Sequence, residues 1–311
     1  MYISFVIPCY RSEKTIEIVV DEIYQLMTGH KKNNYEIILV NDCSPDFVYE
    51  VMYKMSCANS HIKCIDFAKN FGQHSALMAG YRVAQGDVVV SLDDDGQIPV
   101  EQTFDLINKL EAGYDVAYAG FENNTRGAFR GFGTKVNDAM ANILLQKPRD
   151  LQITSFFAMK NFICKEIVKY DSPYPYVSGL ILRSTRKICN VSMQLRSRLE
   201  GKSGYSLNKL LSLWLNGFTA FSVKPLRMAT ILGFICAAIG FIVGFYTIIH
   251  KLIYPMTPAG YSSLMAVLLF VGGIIMIILG LIGEYIGRIY ICLNNSPQYV
   301  IRQTVNIDDE K

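Results

Sequence analysis

The chain has 311 residues, enough for one large domain or two modest ones. It is 51% apolar and only 18% charged, with a mean hydropathy of +0.22, which is oily for a soluble enzyme and points to a membrane portion. A net charge of +3 is too small to imply a nucleic-acid partner, and the eight cysteines show no C-x-x-C pair or metal-ligand spacing, as expected of reduced thiols facing the cytosol.

The chain enters a strand at Ile3, so no signal peptide is expected. Strands are predicted at Tyr2 to Pro8, Tyr35 to Asn41, Ile62 to Phe67, Asp87 to Leu92 and Val116 to Ala119. Helices are predicted between them, at Glu13 to Met27, Asp46 to Ala58, Ser75 to Ala84 and Val100 to Glu111, with Pro99 near a helix start. This alternation implies βαβ units and a mostly parallel sheet. Gly127 to Lys147 reads as a longer amphipathic helix, Lys160 to Tyr170 and Ser178 to Arg186 as two more, and Asn190 to Leu195 as a strand.

The last third changes character. Met228 to His250 carries no formal charge apart from His250, and Leu252 to Gly283 carries none. Two apolar spans follow, at Ala229 to Ile249 and Leu264 to Ile282, each long enough to cross a bilayer. Lys224, Arg227 and Arg288 flank them, against only His250 and Lys251 in the loop, which puts both ends in the cytoplasm. Gly240 with Gly244, and Gly283 with Gly287, have the small-xxx-small spacing that permits close helix packing. Tyr205 to Phe221 reads as an interfacial helix, with an ordinary core helix as the competing reading. The expected organisation is a cytoplasmic catalytic domain over 1–200, a juxtamembrane segment over 201–227, a transmembrane hairpin over 228–283 and a cytoplasmic tail over 284–311.

The chemistry concentrates at Asp93-Asp94-Asp95-Gly96-Gln97, directly after the apolar run Val88-Val89-Val90. Three carboxylates at a strand end repel one another and are costly to desolvate unless a cation sits among them. A hard divalent cation, Mg or Mn, holding a phosphorylated substrate meets that need; a solvated acidic turn is the competing reading. Three further loops lie at carboxyl ends of strands: Pro8 to Glu13, Asn41 to Asp46 and Lys69 to His74. Together they would line one crevice suited to a nucleotide. Asp42 is placed to accept a hydrogen bond from a base imide, and Lys69 to face a phosphate. Asp46 reads as a helix cap, and His74 as either structural or functional. No G-x-G-x-x-G or Walker A motif occurs, which disfavours dinucleotides and P-loop chemistry.

These residues carry a resemblance. Val6 to Tyr10, Val40 to Asp46 and Asp93 to Gln97 resemble the family 2 inverting glycosyltransferases of the GT-A, nucleotide-diphospho-sugar transferase, fold. Asn70 to Gly80, Gly201-Lys202-Ser203, Lys224 to Arg227 and Gly283 to Tyr290 are similar to the polyprenyl-phosphate glycosyltransferases within that family, among them the bactoprenol glucosyltransferases, dolichyl-phosphate mannose synthase and undecaprenyl-phosphate aminoarabinose transferase. The resemblance implies an α/β GT-A domain followed by an interfacial helix and a two-helix transmembrane hairpin. It implies that Asp93 and Asp95 are the outer carboxylates of a D-x-D motif, with Asp95 and Gln97 on the metal and Asp93 and Asp94 at the donor. Pro8, Tyr10, Glu13, Asp42 and Lys69 would complete the nucleotide-sugar pocket. Arg126 and Arg130, one helical turn apart, would meet the donor and acceptor phosphates, with Arg198, Lys202 and Ser203 forming a basic loop for the lipid phosphate. A solvated basic face is the competing reading for Arg126 and Arg130.

Two departures from the family pattern stand out. Asn41 occupies a position where many relatives carry aspartate, which bears on the base, and Asp150 to Phe157 replaces a segment near the sugar, which points to an unusual sugar. The activity implied is inverting, metal-dependent transfer of a sugar to polyprenyl phosphate by a multi-pass protein of the plasma (inner) membrane, with a homo-oligomer as the expected assembly. The alternatives are a family 2 transferase that extends a glycan at a sugar hydroxyl, against which no Q-x-x-R-W motif is present, and a non-catalytic membrane protein that binds a sugar nucleotide.

Overall fold

Ile-Ser-Phe-Val-Ile-Pro-Cys forms β1 (Ile3–Cys9), and all seven of its residues are buried. β2 (Tyr35–Asn41) and β4 (Val88–Ser91) are equally buried, and β3 (Ile62–Phe67) nearly so. Continuous apolar runs of this kind fit strands covered on both faces. The computed structural model describes residues 1–30, 34–121, 151–194, 196, 224–254, 260–294 and 296–307. The chain divides into two compact units, Met1–Ser206 with Asn295–Lys311, and Leu207–Asn294.

The first unit is built on an eight-stranded sheet ordered β7-β5-β6-β4-β1-β2-β3-β8. Its remaining strands are β5 (Val116–Phe121), β6 (Phe157–Lys160), β7 (Ile188–Met193) and β8 (Ile301–Val305). β4, β1, β2 and β3 run parallel; β6 is antiparallel to β4 and β5, and β8 is antiparallel to β3. Side chains alternate across the sheet. Ile3, Phe5 and Ile7 of β1 join the core beneath α1 (Ile16–Gly29), α2 (Val48–Ala58) and α4 (Thr103–Glu111). Val6, with Ile38 and Val40 of β2, joins the core beneath α3 (Gln73–Val83), α5 (Asn161–Ile167) and α6 (Val177–Ser184). The period of two thus splits one apolar run between two helical layers.

The topology creates an opening beside β1. β2 and β3 lie on one side of it and β4 on the other, so the chain reverses its winding between β1 and β4. In open α/β sheets, ligands bind at the carboxyl ends of strands at such a switch point. Pro8 marks the place. Pairing of β1 with β4 ends where the Leu92 N–H reaches the Val6 carbonyl at 3.3 Å. Pro8 faces the same side two residues later, so the N–H that proline lacks has no ladder partner there.

Two strands were not expected. β6 is four residues long, too short to show a period, and the predicted helix begins at Asn161 directly after it. Within 284–311, expected as a C-terminal tail, the preceding helix continues to Leu293, and β8, Ile301–Val305, pairs with β3. Ile-Arg-Gln-Thr-Val covers a sheet edge, which needs little apolar sequence. Asp46 is not the α2 cap; Phe47 holds that position without a side-chain cap bond. The amphipathic helix expected over 127–147 and the interfacial helix over 205–221 lie outside the described residues.

In the second unit, α7 (Lys224–Ile253) and α8 (Tyr261–Leu293) contain Ala229–Tyr246 and Phe270–Gly287, windows of mean hydropathy 2.2 and 2.0 with no buried share. Both are long and apolar enough to cross a membrane. Among the described residues, a Cβ added at the small-xxx-small glycines Gly240, Gly244, Gly283 or Gly287 meets nothing within 4 Å. A Cβ added at Gly233 would stand 3.8 Å from Ile278 Cδ1 of the other helix.

Candidate active site

The loops after β1 and β2 are tied together by reciprocal bonds. The Arg11 N–H donates to Ser44 Oγ at 2.7 Å, the Glu13 N–H to Asp46 Oδ2 at 3.1 Å, and the Phe47 N–H to Glu13 Oε2 at 3.0 Å. Arg11 (φ 60°) and Cys43 (φ 49°) both adopt the left-handed region, a strain on the order of 1 kcal/mol or more each that these bonds offset. Glu13 and Asp46 therefore shape the pocket rim by holding backbone.

Asp42 is 4% exposed and folds the third loop. Its two carboxylate oxygens accept the Phe71 N–H at 2.7 Å and the Gly72 N–H at 2.9 Å, and its carbonyl accepts Asn70 Nδ2 at 3.1 Å. Burial raises its pKa, and the two N–H donors counter part of that rise. Gly72 has φ 90°, which a side chain would strain, and α3 starts one residue later. Lys69 Nζ lies 4.9 Å from the Phe71 ring centroid at the same loop. Asn41 is 3% exposed and does not face the crevice: its amide donates to Asp66 Oδ1 at 2.7 Å, and its Oδ1 accepts the Ser44 N–H at 3.1 Å. An aspartate here would set a second carboxylate against Asp66, which accounts for the departure from the family pattern by local charge.

The aspartate triplet divides its work. Asp93 accepts Gln73 Nε2 at 3.0 Å on Oδ1 and the Ser155 hydroxyl on Oδ2. Burial pushes its pKa up to about 6, against the pull of the Ser155 bond. Asp94 turns toward the first loop: its Oδ2 accepts the Tyr10 N–H at 2.9 Å, and its carbonyl accepts the Thr15 hydroxyl at 2.6 Å. Asp94 thus holds the first loop in place, and burial raises its pKa as well. Asp95 Oδ1 accepts the Gln97 N–H at 3.1 Å, across the turn that Gly96 makes at φ 71°. Gln97 is fixed by Arg196: Gln97 Nε2 donates to the Arg196 carbonyl at 3.3 Å, and the Arg196 N–H returns a bond to the Gln97 carbonyl at 3.0 Å. Arg196 is held in turn by Glu22 at 2.8 Å and by Glu101.

His74 meets the Tyr176 ring edge-on at 5.2 Å between centroids, and its Nδ1 is buried with no hydrogen-bond partner among the described residues. Burial lowers its pKa to about 4, so the ring is neutral at working pH. The structure thus brings Pro8, Tyr10, Glu13, Asp42, Lys69, Asp93, Asp94, Asp95 and Gln97 to the carboxyl ends of β1 to β4. Arg126, Arg130, Arg198, Lys202 and Ser203 lie outside the described residues.

Residues 4–168 match the family described as glycosyl transferase family 2. The chain belongs to glycosyltransferase family 2. Residues 224–289 match a second family, described as the GtrB C-terminal hairpin. The chain is 35% identical to an uncharacterized glycosyltransferase, YkcC, of Bacillus subtilis over 99% of this chain and 95% of that one. It is 31% identical to the SfII prophage-derived bactoprenol glucosyl transferase of Shigella flexneri, with 98% of each covered. Its fold resembles that of glucosyl-3-phosphoglycerate synthase from Mycobacterium tuberculosis, solved with Mn2+ and UDP-glucose, at a TM-score of 0.54 and 19% identity over 70% of this chain and 77% of that one.

In this glycosyltransferase, several residues that organise the site escape a reading by loops. Ser155 and Gln73 hold Asp93 from 62 and 20 residues away in the chain. Ser155 lies in the departing Asp150 to Phe157 segment and reaches Asp93 directly. Ser44 and Thr15 are small hydroxyls whose partners lie on other loops. No local signal separates them from ordinary turn residues.

Proposed function

We propose that this glycosyltransferase moves one sugar from a nucleotide-diphosphate donor to polyprenyl phosphate, undecaprenyl phosphate in a bacterium, inverting the anomeric carbon at the cytoplasmic face of the plasma membrane. One juxtaposition carries the reading. The Asp93-to-Asp95 turn stands at the switch point beside β1, in a chain whose next unit is a hairpin of two apolar helices. The near full-length likeness to a bactoprenol glucosyl transferase supports the same acceptor. Connectivity supports this reading: strands before the hairpin and β8 after it share one sheet, so a hairpin crossing a membrane twice would have both its ends on the side of the catalytic domain.

A divalent cation fits the donor set. Asp95 and Gln97 offer only hard oxygens, and among the described residues no three of His, Cys, Asp and Glu converge to enclose an ion. Mg bound through one or two carboxylates, with substrate phosphates completing its shell, suits such a site, and Mn follows the same ligand preference. Asp95 and Gln97 would hold it, and when bound it supplies positive charge against the departing nucleoside diphosphate. Arg196 keeps Gln97 in place. Asp93, at about 6, is mainly ionised at neutral pH, and Gln73 and Ser155 fix its orientation against the donor sugar and ribose. Pro8 and Tyr10, at the carboxyl end of β1, are the proposed wall on the other side.

The acceptor phosphate is already an oxyanion at neutral pH. It needs no strong general base, only steering and alignment for attack opposite the leaving group. Arg126, Arg130, Arg198, Lys202 and Ser203 are the proposed cradle, since arginine forks bind phosphate oxygens bidentately. The test is to incubate membranes holding the protein with a panel of labelled nucleotide sugars. A sugar-phosphate lipid, soluble in organic solvent and labile to mild acid, is the expected product. An insoluble polymer would favour hydroxyl extension, and no transfer from any donor would favour a binding role.

A further inference from the structure

The residues after the hairpin do more than cap a sheet edge. Gln298 is 6% exposed, and its Nε2 donates to the carbonyls of Tyr170 at 3.1 Å and Ser172 at 3.0 Å. Tyr299 stacks on Phe67 with centroids 5.2 Å apart and planes 9° apart, and the Arg82 guanidinium lies 5.4 Å from the Tyr299 ring centroid. The Ala68 N–H donates to the Val300 carbonyl at 2.9 Å. Arg302 reaches Asp66 Oδ2 at 3.4 Å and the Ala68 carbonyl at 3.2 Å. Asn306, left-handed at φ 58°, closes the segment with its amide on the carbonyls of Ser56 at 2.6 Å and Ile62 at 2.9 Å.

Two of these contacts continue into the pocket. On the polar route, Arg302 faces Asp66, which is 2% exposed; Asp66 holds the Asn41 amide, Asn41 Oδ1 holds the Ser44 N–H, and Ser44 Oγ holds the Arg11 N–H. On the apolar route, Tyr299 stacks on Phe67, Phe67 meets the Phe71 ring edge-on at 5.7 Å, and the Phe71 N–H sits on Asp42. Backbone pairing alone would suffice to cover the edge of β3. These side chains instead engage Asp66 and Phe67, whose other partners, Asn41 and Phe71, lead into the loops after β2 and β3.

We propose that the segment Gln298 to Asn306 is a positioning element for the nucleotide pocket, acting through Arg302 on the Asp66–Asn41–Ser44 chain and through Tyr299 on the Phe67–Phe71 pair. The proposal rests on the reading that these loops hold the donor nucleotide. Removing the Arg302 guanidinium leaves a buried carboxylate without its cation, and the burden falls on Asn41, whose other end sets the second loop.

The test uses the full chain in detergent with Mg, titrated calorimetrically with UDP, GDP, ADP, CDP and dTDP. For the nucleotide that the wild type binds, Arg302→Ala weakens binding at least tenfold and raises the donor KM to match. The kcat at saturating donor and the KM for polyprenyl phosphate stay within about twofold. Arg302→Lys recovers at least threefold of the loss. Arg302→Met with Asp66→Asn, which removes both charges and keeps an oxygen for Asn41, binds more tightly than Arg302→Ala. Wild-type affinity in Arg302→Ala, or a fall in kcat and a rise in both KM values in step with a lowered Tm, overturns the positioning role while leaving the nucleotide reading intact. If the wild type binds none of the five nucleotides, the nucleotide reading fails and the positioning role falls with it.

Discussion

Gly80 is where helix packing and site geometry meet. A Cβ added there would stand 2.4 Å from Val6 Cγ1, with Val40 Cγ2 at 3.4 Å and Ile38 Cγ2 at 3.6 Å closing the remaining space. Carbon atoms pack at roughly 3.5–4.0 Å, so Gly80→Ala forces α3 and β1 apart by on the order of 1 Å. Val6 is fully buried and β-branched, so it has few rotamers to escape into. Overpacking of this kind costs about 1–3 kcal/mol, and the gain of roughly 1 kcal/mol in helix propensity offsets only part of it. A net loss of up to about 2 kcal/mol lowers Tm by up to roughly 8 °C, read by circular dichroism in detergent. Activity falls further than stability. Gln73, in the first turn of the same helix, holds Asp93 at 3.0 Å, and a displacement near 1 Å breaks that bond. A misplacement of that size costs up to about 100-fold in rate. Val6→Ala relieves the clash, so the double variant should be more stable than the two single losses predict. Gly80→Ala with wild-type Tm and activity, or a double-mutant coupling within about 0.3 kcal/mol of zero, would refute the close-packing argument.

Asp95→Asn should abolish sugar transfer while leaving expression and membrane association unchanged, and the wild type should lose activity in excess EDTA and regain it with Mg or Mn; full activity under chelation would remove the metal from the account. His74 is held neutral, with its pKa near 4 against 6.5 for an ordinary histidine, so the fold loses stability as pH falls from about 6.5 toward 4 while the unfolded chain takes up the proton. By pH 5 this amounts to about 2 kcal/mol, and the Tm difference between pH 7.5 and pH 5 should shrink in His74→Gln; equal differences in the two proteins would count against a buried neutral ring. Reporter fusions near Pro258 and at Lys311 should report opposite sides of the membrane, and the same side for both would break the hairpin.

The centre of the sheet was legible because its strands are apolar on both faces. Val88-Val89-Val90 and Ile37-Ile38-Leu39-Val40 need no partner to be recognised. The crevice followed, since loops after parallel strands share one edge of the sheet. β8 was hidden because its five residues lie 234 positions or more beyond β3 and follow two long apolar helices that dominate the local pattern. Asp46 was misplaced, and the loop-holding bonds of Asp94 went unseen, for a related reason. A carboxylate in a turn looks the same whether it faces a ligand or a neighbouring loop, and only the fold puts the Tyr10 and Glu13 N–H groups beside them. The Asn41 departure likewise becomes intelligible only when Asp66 is seen across the ladder.

The acceptor is the claim that most separates this account from its rivals. Purified protein in detergent, supplied with Mg and the nucleotide sugar it uses, should be offered undecaprenyl phosphate and undecaprenol side by side. The account predicts transfer to the phosphate alone, because the alcohol is neither ionised nor held by arginine and lysine. It also predicts that Arg130→Ala slows that transfer more than tenfold, about 1.4 kcal/mol of transition-state stabilisation, without unfolding the protein. Efficient transfer to undecaprenol would contradict the lipid-phosphate assignment and favour a transferase that activates a hydroxyl.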